Sequence, residues 1–468
     1  MRPDHLTAWI LSTLVLSFWL LGRPAFGGTV ELVVDTTPAA EEIDLTRFAL
    51  GQGGLSEKPM IESHRDQLAQ LQPQTIRLFV QEYFDLYPKR GRYHWDTLDS
   101  SIQAILATGA KPLLCLCFKP RLLYPRIDQD IVHPTDYQEW EKLVAALVRH
   151  CNHERRYGIE YWEVGNEADI GEDGGCPYRF KPADYVTYYT RTARAILRAD
   201  AKAKIGGPAL AGYRSALGEA LIDYCGRGGA PLHFFSWHMY SNDPRQFRQS
   251  IKEVKMRLAK FPALARTETV LDEWNMSLGS PVLAPAYQPA FAIETTLGFY
   301  EAGLTRAAYY HIRDYFVDPW RFSPWMSRAG TDFMAHWWNV MPQYDGLYDN
   351  QGRVRPAYYA FRLLSLIKGQ KLAVSGTTDD IKAFAARNGS WNQVVFWNFS
   401  LPGQGEASDV IVRFPKPHGG EFRFMKLNAG ASVNNLEVIR HGNVAELKAQ
   451  PIRTRLEPYG VAWIEVAQ

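Results

Sequence analysis

The sequence predicts an α/β protein, a (β/α)8 TIM barrel followed by a C-terminal all-β sandwich. The chain has 468 residues, which suits a barrel with a smaller module. Strand and helix patterns alternate up to residue 368, and short strands separated by turns follow. Two of the predicted barrel strands end in a glutamate, and TIM barrels keep their chemistry at that end of the strands.

The barrel prediction comes from eight apolar strand patterns that alternate with helical patterns. The predicted strands cover residues 48–55, 75–80, 111–118, 161–167, 204–211, 234–240, 269–275 and 306–314. A long irregular loop is predicted over 315–330, and helical patterns follow at 333–338 and 356–368. Eight such units are typical of a closed parallel barrel.

Beyond the barrel, five short alternating segments predict the β-sandwich, which we assign to residues 369–468. These segments are 381–385, 393–399, 409–414, 422–427 and 461–466. The barrel is assigned to residues 28–368. Within this range, 28–35 is β-rich and has no helix after it. We therefore expect these residues to be a strand of the sandwich.

Residues 1–27 are predicted to be a signal peptide. Arg2 and His5 precede an apolar run over 6–21, and Ala25-Phe26-Gly27 offers small residues for cleavage. This pattern predicts a secreted or periplasmic protein. An uncleaved N-terminal membrane anchor is the alternative.

Composition excludes several other classes. A net charge of +2 gives no basic footprint, so we expect no nucleic-acid partner. The five cysteines have no spacing typical of a disulfide framework or a zinc site, and only Cys176 and Cys225 are considered as a pair. We expect neither a metal nor a cofactor, and no protein partner is evident. Fourteen Trp and 24 Tyr favour a carbohydrate ligand, although such residues also fill cores.

Two glutamates carry the functional prediction. Glu167 closes the fourth strand as part of Asn166-Glu167, and Glu273 lies at the tip of the seventh. Glycosidases use two carboxyl groups, one to protonate the leaving oxygen and one to attack the anomeric carbon or stabilise its charge. A single glutamate of this kind would more simply be a structural ion-pair partner. Two of them on suitably spaced strands favour catalysis.

The order of several motifs resembles glycoside hydrolase family 39, a family of retaining glycosidases with a (β/α)8 barrel and a β-sandwich. The motifs are Tyr93-His94-Trp95-Asp96, Phe118-Lys119-Pro120, Asn166-Glu167, Gly206-Gly207-Pro208, His238-Met239-Tyr240, Glu273-Trp274-Asn275 and Pro356-Ala357-Tyr358-Tyr359-Ala360-Phe361. Two of these regions also resemble family 51 arabinofuranosidases. The resemblance therefore indicates membership of clan A, to which family 39 belongs, and a retaining mechanism more closely than it indicates the sugar.

The resemblance implies a role for each matching residue. Glu167 would be the acid/base and Glu273 the nucleophile. Asn166 would hold the sugar 2-hydroxyl, and Arg77 and Tyr240 would bond the nucleophile. From the sequence alone, Arg77 could equally serve a structural ion pair in the barrel.

Other candidate substrate contacts remain open. His238 is as compatible with a structural hydrogen bond as with a sugar contact. The sequence departs from the family where Asp272 replaces a usual Thr, Phe79 replaces a common His, Tyr310 replaces a Trp and Arg313 replaces a small residue. Together with Lys119 at the tip of the third strand, Arg313 raises the hypothesis of an acidic sugar.

The sequence therefore predicts a retaining glycoside hydrolase of β-xylosidase-like type acting on oligo- or polysaccharides. An arabinofuranosidase-type or uronic-acid-directed glycosidase of the same clan is the alternative. A catalytically inactive carbohydrate-binding barrel is a third, which the presence of both glutamates disfavours.

Overall fold

The computed structural model of the protein describes residues 28–53, 58–278, 285–341, 343–416, 419–430 and 434–467. The predicted signal peptide lies outside the described residues. The last two residues of the first predicted barrel strand, 54–55, do so as well.

A closed parallel barrel forms the larger part of the molecule, which confirms the predicted fold class. Strands are numbered in chain order from β1 (Val30–Asp44), which lies outside the barrel. The barrel strands are β2 (Phe48–Gln52), β3 (Thr75–Val80), β4 (Lys111–Leu116), β5 (Tyr161–Val164), β6 (Lys204–Leu210), β7 (Phe234–Tyr240), β8 (Glu268–Asn275) and β9 (Arg306–Tyr310). Pairing of β2 with both β3 and β9 closes the barrel.

Helices surround the barrel because each carries an apolar stripe that packs on the strands. In chain order the described helices are α1 (Arg65–Gln70), α2 (Asp96–Leu106), α3 (Tyr137–Arg149), α4 (Pro182–Ala199), α5 (Ala216–Gly226), α6 (Pro244–Leu258), α7 (Tyr287–Glu301), α8 (Pro319–Phe322), α9 (Arg328–Ala335), α10 (Pro356–Leu366) and α11 (Glu446–Ala449). Helix α3 illustrates how a cap and an apolar face determine where a helix forms. Asp136 caps it by accepting hydrogen bonds from two backbone N–H groups, and Trp140, Val144 and Leu147 are buried.

The remaining strands form one nine-stranded sheet with the order β15-β14-β17-β12-β11-β10-β1-β13-β16. Besides β1 they are β10 (Lys368–Ser375), β11 (Ile381–Asn388), β12 (Trp391–Asn398), β13 (Ser408–Arg413), β14 (Glu421–Ala429), β15 (Asn434–Asn443), β16 (Ile452–Leu456) and β17 (Val461–Ala467). Phe424 of β14 and Val412 of β13 lie far apart in this order but share one apolar core. The sheet must therefore curl over itself into a sandwich.

Strand β1 connects the start of the described chain to this sheet. It runs antiparallel to β10 and parallel to β13. Helix α10 ends at Leu366 and β10 begins at Lys368. The sequence did not predict strands β10, β15 and β16, because their burial does not alternate cleanly or they are exposed over much of their length.

The segment after β9 differs from the predicted irregular loop. Residues 315–341, which we name the cap segment, contain α8, α9 and a turn of π-helix over His336–Val340. A small apolar cluster holds the segment together, formed by Tyr315, Val317, Phe322, Trp325 and Met326. Its helices are short, so periodicity gives little signal and packing determines their formation.

All five cysteines are buried free thiols, so Cys176 and Cys225 do not form the disulfide that the sequence allowed. Among the described residues, no helix combines the length and the apolar character needed to span a membrane.

Candidate active site

The structure brings the two predicted glutamates together at the C-terminal end of the barrel. Glu167 lies three residues beyond the end of β5, and Glu273 lies near the end of β8. One carboxylate oxygen of each lies within 4.8 Å of the other. Separations of about 5–5.5 Å between such groups are typical of retaining glycosidases, whereas inverting enzymes leave room for a water at about 6.5–9.5 Å.

A strained turn sets the position of Glu167. Its backbone has φ +44°, a left-handed conformation that is uncommon for a residue with a side chain. The backbone N–H of Glu167 donates to the carbonyl of Ala209 at 2.7 Å. Gly174 lies against the carboxyl group, where a Cβ atom would come within 2.0 Å of Glu167 Oε2. Position 174 therefore requires glycine, because the Glu167 carboxyl group lies too close to its backbone for a side chain.

Arg77 is the structural centre of the site, and its side chain is almost completely buried. Its Nη1 donates to Glu273 Oε1 at 2.8 Å, and its Nη2 donates to Asn166 Oδ1 at 2.8 Å. Its Nε donates to Glu163 at 2.7 Å. The sequence left open a structural ion pair or support of Glu273, and the structure contains both, since Arg77 also lies 3.1 Å from Asp272 Oδ2.

Tyr240 holds the other oxygen of Glu273. Its hydroxyl donates to Glu273 Oε2 at 2.7 Å. Burial, together with the nearby charge of Glu273, keeps the pKa of Tyr240 well above its usual value, so the phenol retains its proton. Both oxygens of Glu273 thus accept hydrogen bonds, an arrangement that stabilises a carboxylate.

His238 joins the two glutamates. Its Nδ1 lies 2.8 Å from Glu167 Oε1 and 3.4 Å from Glu273 Oε2. Burial alone would lower the pKa of His238, but the charges of Glu273 and Asp272 outweigh burial and raise it well above 6.5. A raised pKa favours the imidazolium form of His238, whose Nδ1 faces Glu167 Oε1.

The pKa of Glu167 is raised above 4.5, mainly by burial and further by the charge of Glu273. The hydrogen bond and charge of His238 oppose this shift. A carboxyl group with a raised pKa next to a fully hydrogen-bonded carboxylate matches the division into acid and nucleophile found in glycosidases.

Sequence reasoning gave no role to two buried carboxyl groups beneath the glutamates, Glu163 and Asp272. Burial is the main cause that raises the pKa of Glu163 to about 8, so this group is a neutral acid near pH 7. For Asp272, burial is outweighed by the charges of Arg77 and His238, and its pKa is lowered. The sequence does show that Glu163 and Asp272 lie inside predicted strands, where a buried charge needs a partner. It does not show which residues those partners are, because that depends on the register between strands.

A β-bulge explains how Asp272 and Glu273 both reach this network although they are neighbours in one strand. Trp237 of β7 pairs with Leu271, while His238 pairs with Glu273, so Asp272 is an extra residue in β8. Side chains normally alternate between the faces of a strand, and a bulge breaks that alternation. Bulges of this kind often redirect side chains next to active sites.

The glutamates open into a cavity of about 290 Å³. Asn166 and Tyr310 line it as predicted contacts, and Phe79 lines it as well. The cap segment supplies much of the remaining wall, with Tyr315, Phe322, Phe333, Met334, Trp337 and Trp338. No Lys or Arg lies among the described residues that line the cavity.

The structure therefore places two predicted substrate contacts, Arg313 and Lys119, outside the cavity. The Arg313 guanidinium donates to the carbonyl of Asn350. The Lys119 ammonium donates to two backbone carbonyls, those of Asp128 and Pro177. Strand-tip position alone did not fix the direction of these side chains, and neither borders the cavity.

Asp345 is a further cavity residue that the sequence did not indicate. Its side chain is buried, and within the described chain its Oδ1 has no hydrogen-bond partner. Burial raises the pKa of Asp345 to about 7. A buried polar atom that borders a cavity and lacks a partner can accept or donate a hydrogen bond to a bound ligand.

The spacing of three side chains would allow a metal ion, because one atom from each of Glu167, His238 and Glu273 lies within 4.8 Å of the others. The contacts favour hydrogen bonding instead. His238 Nδ1 lies 2.8 Å from Glu167, whereas two ligands of a tetrahedral zinc ion lie about 3.3 Å apart. The Arg77 guanidinium, which contacts Glu273, would also repel a cation.

The family profile described as glycosyl hydrolases family 39 matches residues 83–401. The chain belongs to this family. It is 26% identical over 332 residues to a beta-xylosidase of Caldicellulosiruptor saccharolyticus, a match that spans 65% of this chain and 63% of that relative. The chain thus covers less than two thirds of that relative's length.

Solved structures share the fold over nearly the whole chain. A glucosidase from Croceicoccus marinus superposes with a TM-score of 0.74 at 17% identity, covering 94% of this chain and 99% of that one. A monomeric beta-xylosidase from Caulobacter crescentus gives a TM-score of 0.73 at 20% identity, with the same coverage. At these identities the likeness concerns the fold.

Proposed function

We propose that the protein is a retaining glycoside hydrolase of β-xylosidase type. The observation that carries this proposal is the approach of Glu167 and Glu273, within 4.8 Å, at the end of a barrel cavity. This separation suits direct attack by a carboxylate on the sugar and leaves no room for an intervening water. Family membership supports the same reaction class.

In the first step, Glu273 attacks the anomeric carbon and Glu167 donates its proton to the glycosidic oxygen. The C–O bond to the leaving group breaks as the bond to Glu273 forms, so the sugar becomes an ester of the enzyme. Arg77 and Tyr240 orient Glu273 for this attack. Burial keeps Glu167 protonated to a higher pH than an exposed glutamate.

In the second step, Glu167 is a carboxylate and removes a proton from water as the water attacks the anomeric carbon. Esterification of Glu273 removes its negative charge, which is one of the causes that raise the pKa of Glu167. The pKa of Glu167 therefore falls, and the residue can act as a base. Hydrolysis releases the sugar with its original configuration and returns both glutamates to their starting states.

The cavity supports a neutral sugar as the substrate. Asn166 borders the cavity, and we place its amide at the sugar 2-hydroxyl, where hydrogen bonds strengthen in the transition state. Asp345 offers a second polar contact. No Lys or Arg lies in the described cavity wall to bind the carboxylate of a uronic acid. Arg313 and Lys119 therefore no longer support an acidic sugar as the substrate. The beta-xylosidase relative favours a xyloside.

A panel of nitrophenyl glycosides tests this proposal. It contains the β-D-xyloside, α-L-arabinofuranoside, β-D-glucoside and β-D-glucuronide. We expect the xyloside to give the highest kcat/KM, and we expect Glu167→Gln and Glu273→Gln to lose this activity while remaining folded. A preference for the arabinofuranoside or glucuronide would contradict the substrate assignment. Binding of sugar without hydrolysis of any substrate would indicate an inactive carbohydrate-binding barrel.

We also propose that the protein is exported and that residues 1–27 are removed. The apolar run and the small residues before Gly28 support this proposal. N-terminal sequencing of the full chain after expression in a bacterial host should give a protein that starts at Gly28. Recovery in the membrane fraction of a chain that still begins at Met1 would instead indicate an uncleaved membrane anchor.

A further inference from the structure

The reaction described above needs only Glu167, Glu273 and the groups that bond them, and it leaves Asp272 without a role. Asp272 has no solvent exposure. Its Oδ2 lies 3.1 Å from Arg77 Nη2 and 3.6 Å from His238 Nε2. The β8 bulge directs it into the network although the next residue, Glu273, also faces inward.

The charges of this buried network balance when Asp272 is ionised and His238 is protonated. Arg77 is a permanent cation, and two carboxylates, Asp272 and Glu273, lie within ion-pair distance of it. His238 lies near the same two carboxylates. Two cations and two anions then cancel, which satisfies the requirement that buried charges are paired. Without Asp272, Arg77 and His238 would share the single charge of Glu273.

We propose that Asp272 is a positioning residue that holds His238 as an imidazolium and thereby fixes how Glu167 carries its proton. This inference rests on the proposed function, because it assigns Asp272 a part in the acid/base cycle. Asp272 does not touch the reacting atoms and acts through His238.

The geometry gives the imidazolium a specific task. Asp272 faces Nε2 of His238, and Nδ1 on the other side of the ring meets Glu167 Oε1. With both nitrogens protonated, Nδ1–H can only donate, so Oε1 must accept. The acidic proton of Glu167 is then left on Oε2, the oxygen next to Gly174 and the cavity. A neutral His238 could adopt the other tautomer and accept the proton from Oε1 instead.

Other titratable groups around the ring do not replace Asp272. Glu163 contacts Arg77 from β5 and is neutral, since burial raises its pKa to about 8. Tyr240 on β7 and Cys115 on β4 are neutral, because burial raises the pKa of each. Asp169 raises the pKa of Glu167 through its charge, and Asp173 lines the same cavity as Glu167. Among these groups only Asp272 pairs with Nε2.

The sign of the effect on catalysis follows from charge. An imidazolium near a carboxyl group favours the ionised form, so His238 lowers the pKa of Glu167. In Asp272→Asn, the charge of Glu273 still raises the pKa of His238 but that of Asp272 no longer does, so the ring loses its proton at lower pH, and this lowering ends once the ring is neutral. The basic limb of the kcat/KM profile, which reports loss of the proton from Glu167, should therefore move to higher pH by about one unit.

The test combines this pH profile with ¹⁵N NMR of histidine-labelled protein, in which His238 is assigned by the signals missing from His238→Gln. In the wild type both ring nitrogens should remain protonated between about pH 5 and 8. In Asp272→Asn the ring should titrate within that window. Asp272→Thr is a second variant that removes the charge.

Asp314→Asn is the matched control, because Asp314 is also buried and also pairs with a histidine, His311, and an arginine, Arg355. It should lower stability and leave the basic limb in place. A neutral His238 in wild type at pH 7 would overturn the inference whatever the variants do. So would folded Asp272 variants with an unchanged His238 titration or an unchanged limb. If wild type hydrolyses no glycoside, the proposed function fails, while the NMR result still decides the state of His238.

Discussion

At the scale of single residues, the two glutamates differ in their hydrogen-bond partners, and that difference supports the roles proposed for them. Glu273 accepts hydrogen bonds on both oxygens, from Arg77 and Tyr240. Glu167 is held on one oxygen by His238, and its pKa is raised by burial. A carboxyl group with a raised pKa beside a carboxylate held by two hydrogen-bond donors is typical of an acid and nucleophile pair.

Removal of the acid should be reversible by an external nucleophile. Glu167→Ala should lose roughly 10²–10⁴-fold in kcat on substrates with poor leaving groups, because the leaving oxygen is no longer protonated. With an activated aryl glycoside the first step still proceeds, and azide should restore turnover by attacking the ester of Glu273. The product would be a β-glycosyl azide, identified by NMR. Azide rescue of Glu273→Ala to the same β-anomer would contradict the assignment.

The close approach of Gly174 gives a second prediction at this scale. Gly174→Ala should reduce kcat/KM by at least about tenfold, because the added methyl group collides with the Glu167 carboxyl and displaces it. Gly212→Ala is the control, since a Cβ there meets nothing within 4 Å. Initial rates and thermal melts of both variants provide the comparison. Equal activity of the two variants would show that Glu167 is not confined in this way.

Strand-end position predicted that Glu167 and Glu273 meet, because TIM barrels bring strand ends to one site, whereas the family resemblance implied the roles of Asn166, Arg77 and Tyr240. The sequence did not predict the pairing of Glu163 and Asp272 with Arg77. That network depends on register and on the bulge in β8, neither of which periodicity encodes.

At the scale of elements, the cap segment forms the part of the site that the sequence predicted least well. Its apolar cluster contains the aromatic side chains of Tyr315, Phe322 and Trp325. A buried carboxylate, Glu172 in the loop after β5, fastens the start of α9. Glu172 accepts hydrogen bonds from the backbone N–H of Ser327, at 2.7 Å, and from its hydroxyl.

Loss of this contact should loosen the wall of the cavity. Glu172→Ala should raise KM by about tenfold with a smaller change in kcat, because a hydrogen bond to a charged group contributes about 1.5–3 kcal/mol. Hydrogen exchange over 327–335 should become faster in parallel. Glu172→Gln, which keeps an acceptor for the Ser327 N–H, is the control. A KM like that of wild type in Glu172→Ala would mean that α9 is held by its apolar contacts alone.

At the scale of the whole molecule, β1 joins the start of the described chain to the C-terminal sheet. The strand lies between β10 and β13, and β13 is bonded to β16 at the edge of the sheet. Leu32 and Val34 of β1 are fully buried in the sandwich core. A β-rich segment before the first barrel strand was enough to predict its place. The length of β1 was not predicted, because the register shifts after Asp35 break its pattern.

A core substitution in β1 should therefore weaken the sandwich and spare the active site. Leu32→Ala should lower the free energy of unfolding by about 2–5 kcal/mol, the usual cost of such a deletion in a core. Glu42→Ala, at an exposed position of the same strand, should change it by less than about 0.5 kcal/mol. Chemical denaturation gives the comparison, with kcat/KM measured below the transition. Equal stability of the two variants would contradict the role of Leu32 in the core.

In the proposed mechanism Glu273 forms a covalent bond to the sugar, and trapping this intermediate tests the mechanism directly. A 2-deoxy-2-fluoro β-xyloside with a dinitrophenyl leaving group should react once and accumulate, because the fluorine slows the oxocarbenium-like transition state of both steps while the leaving group speeds the first. Peptide mass spectrometry of the inactivated enzyme should then find the sugar on Glu273, within the strand Glu268–Asn275. A label on Glu167, or an enzyme that turns over or ignores the reagent without labelling, would contradict the account.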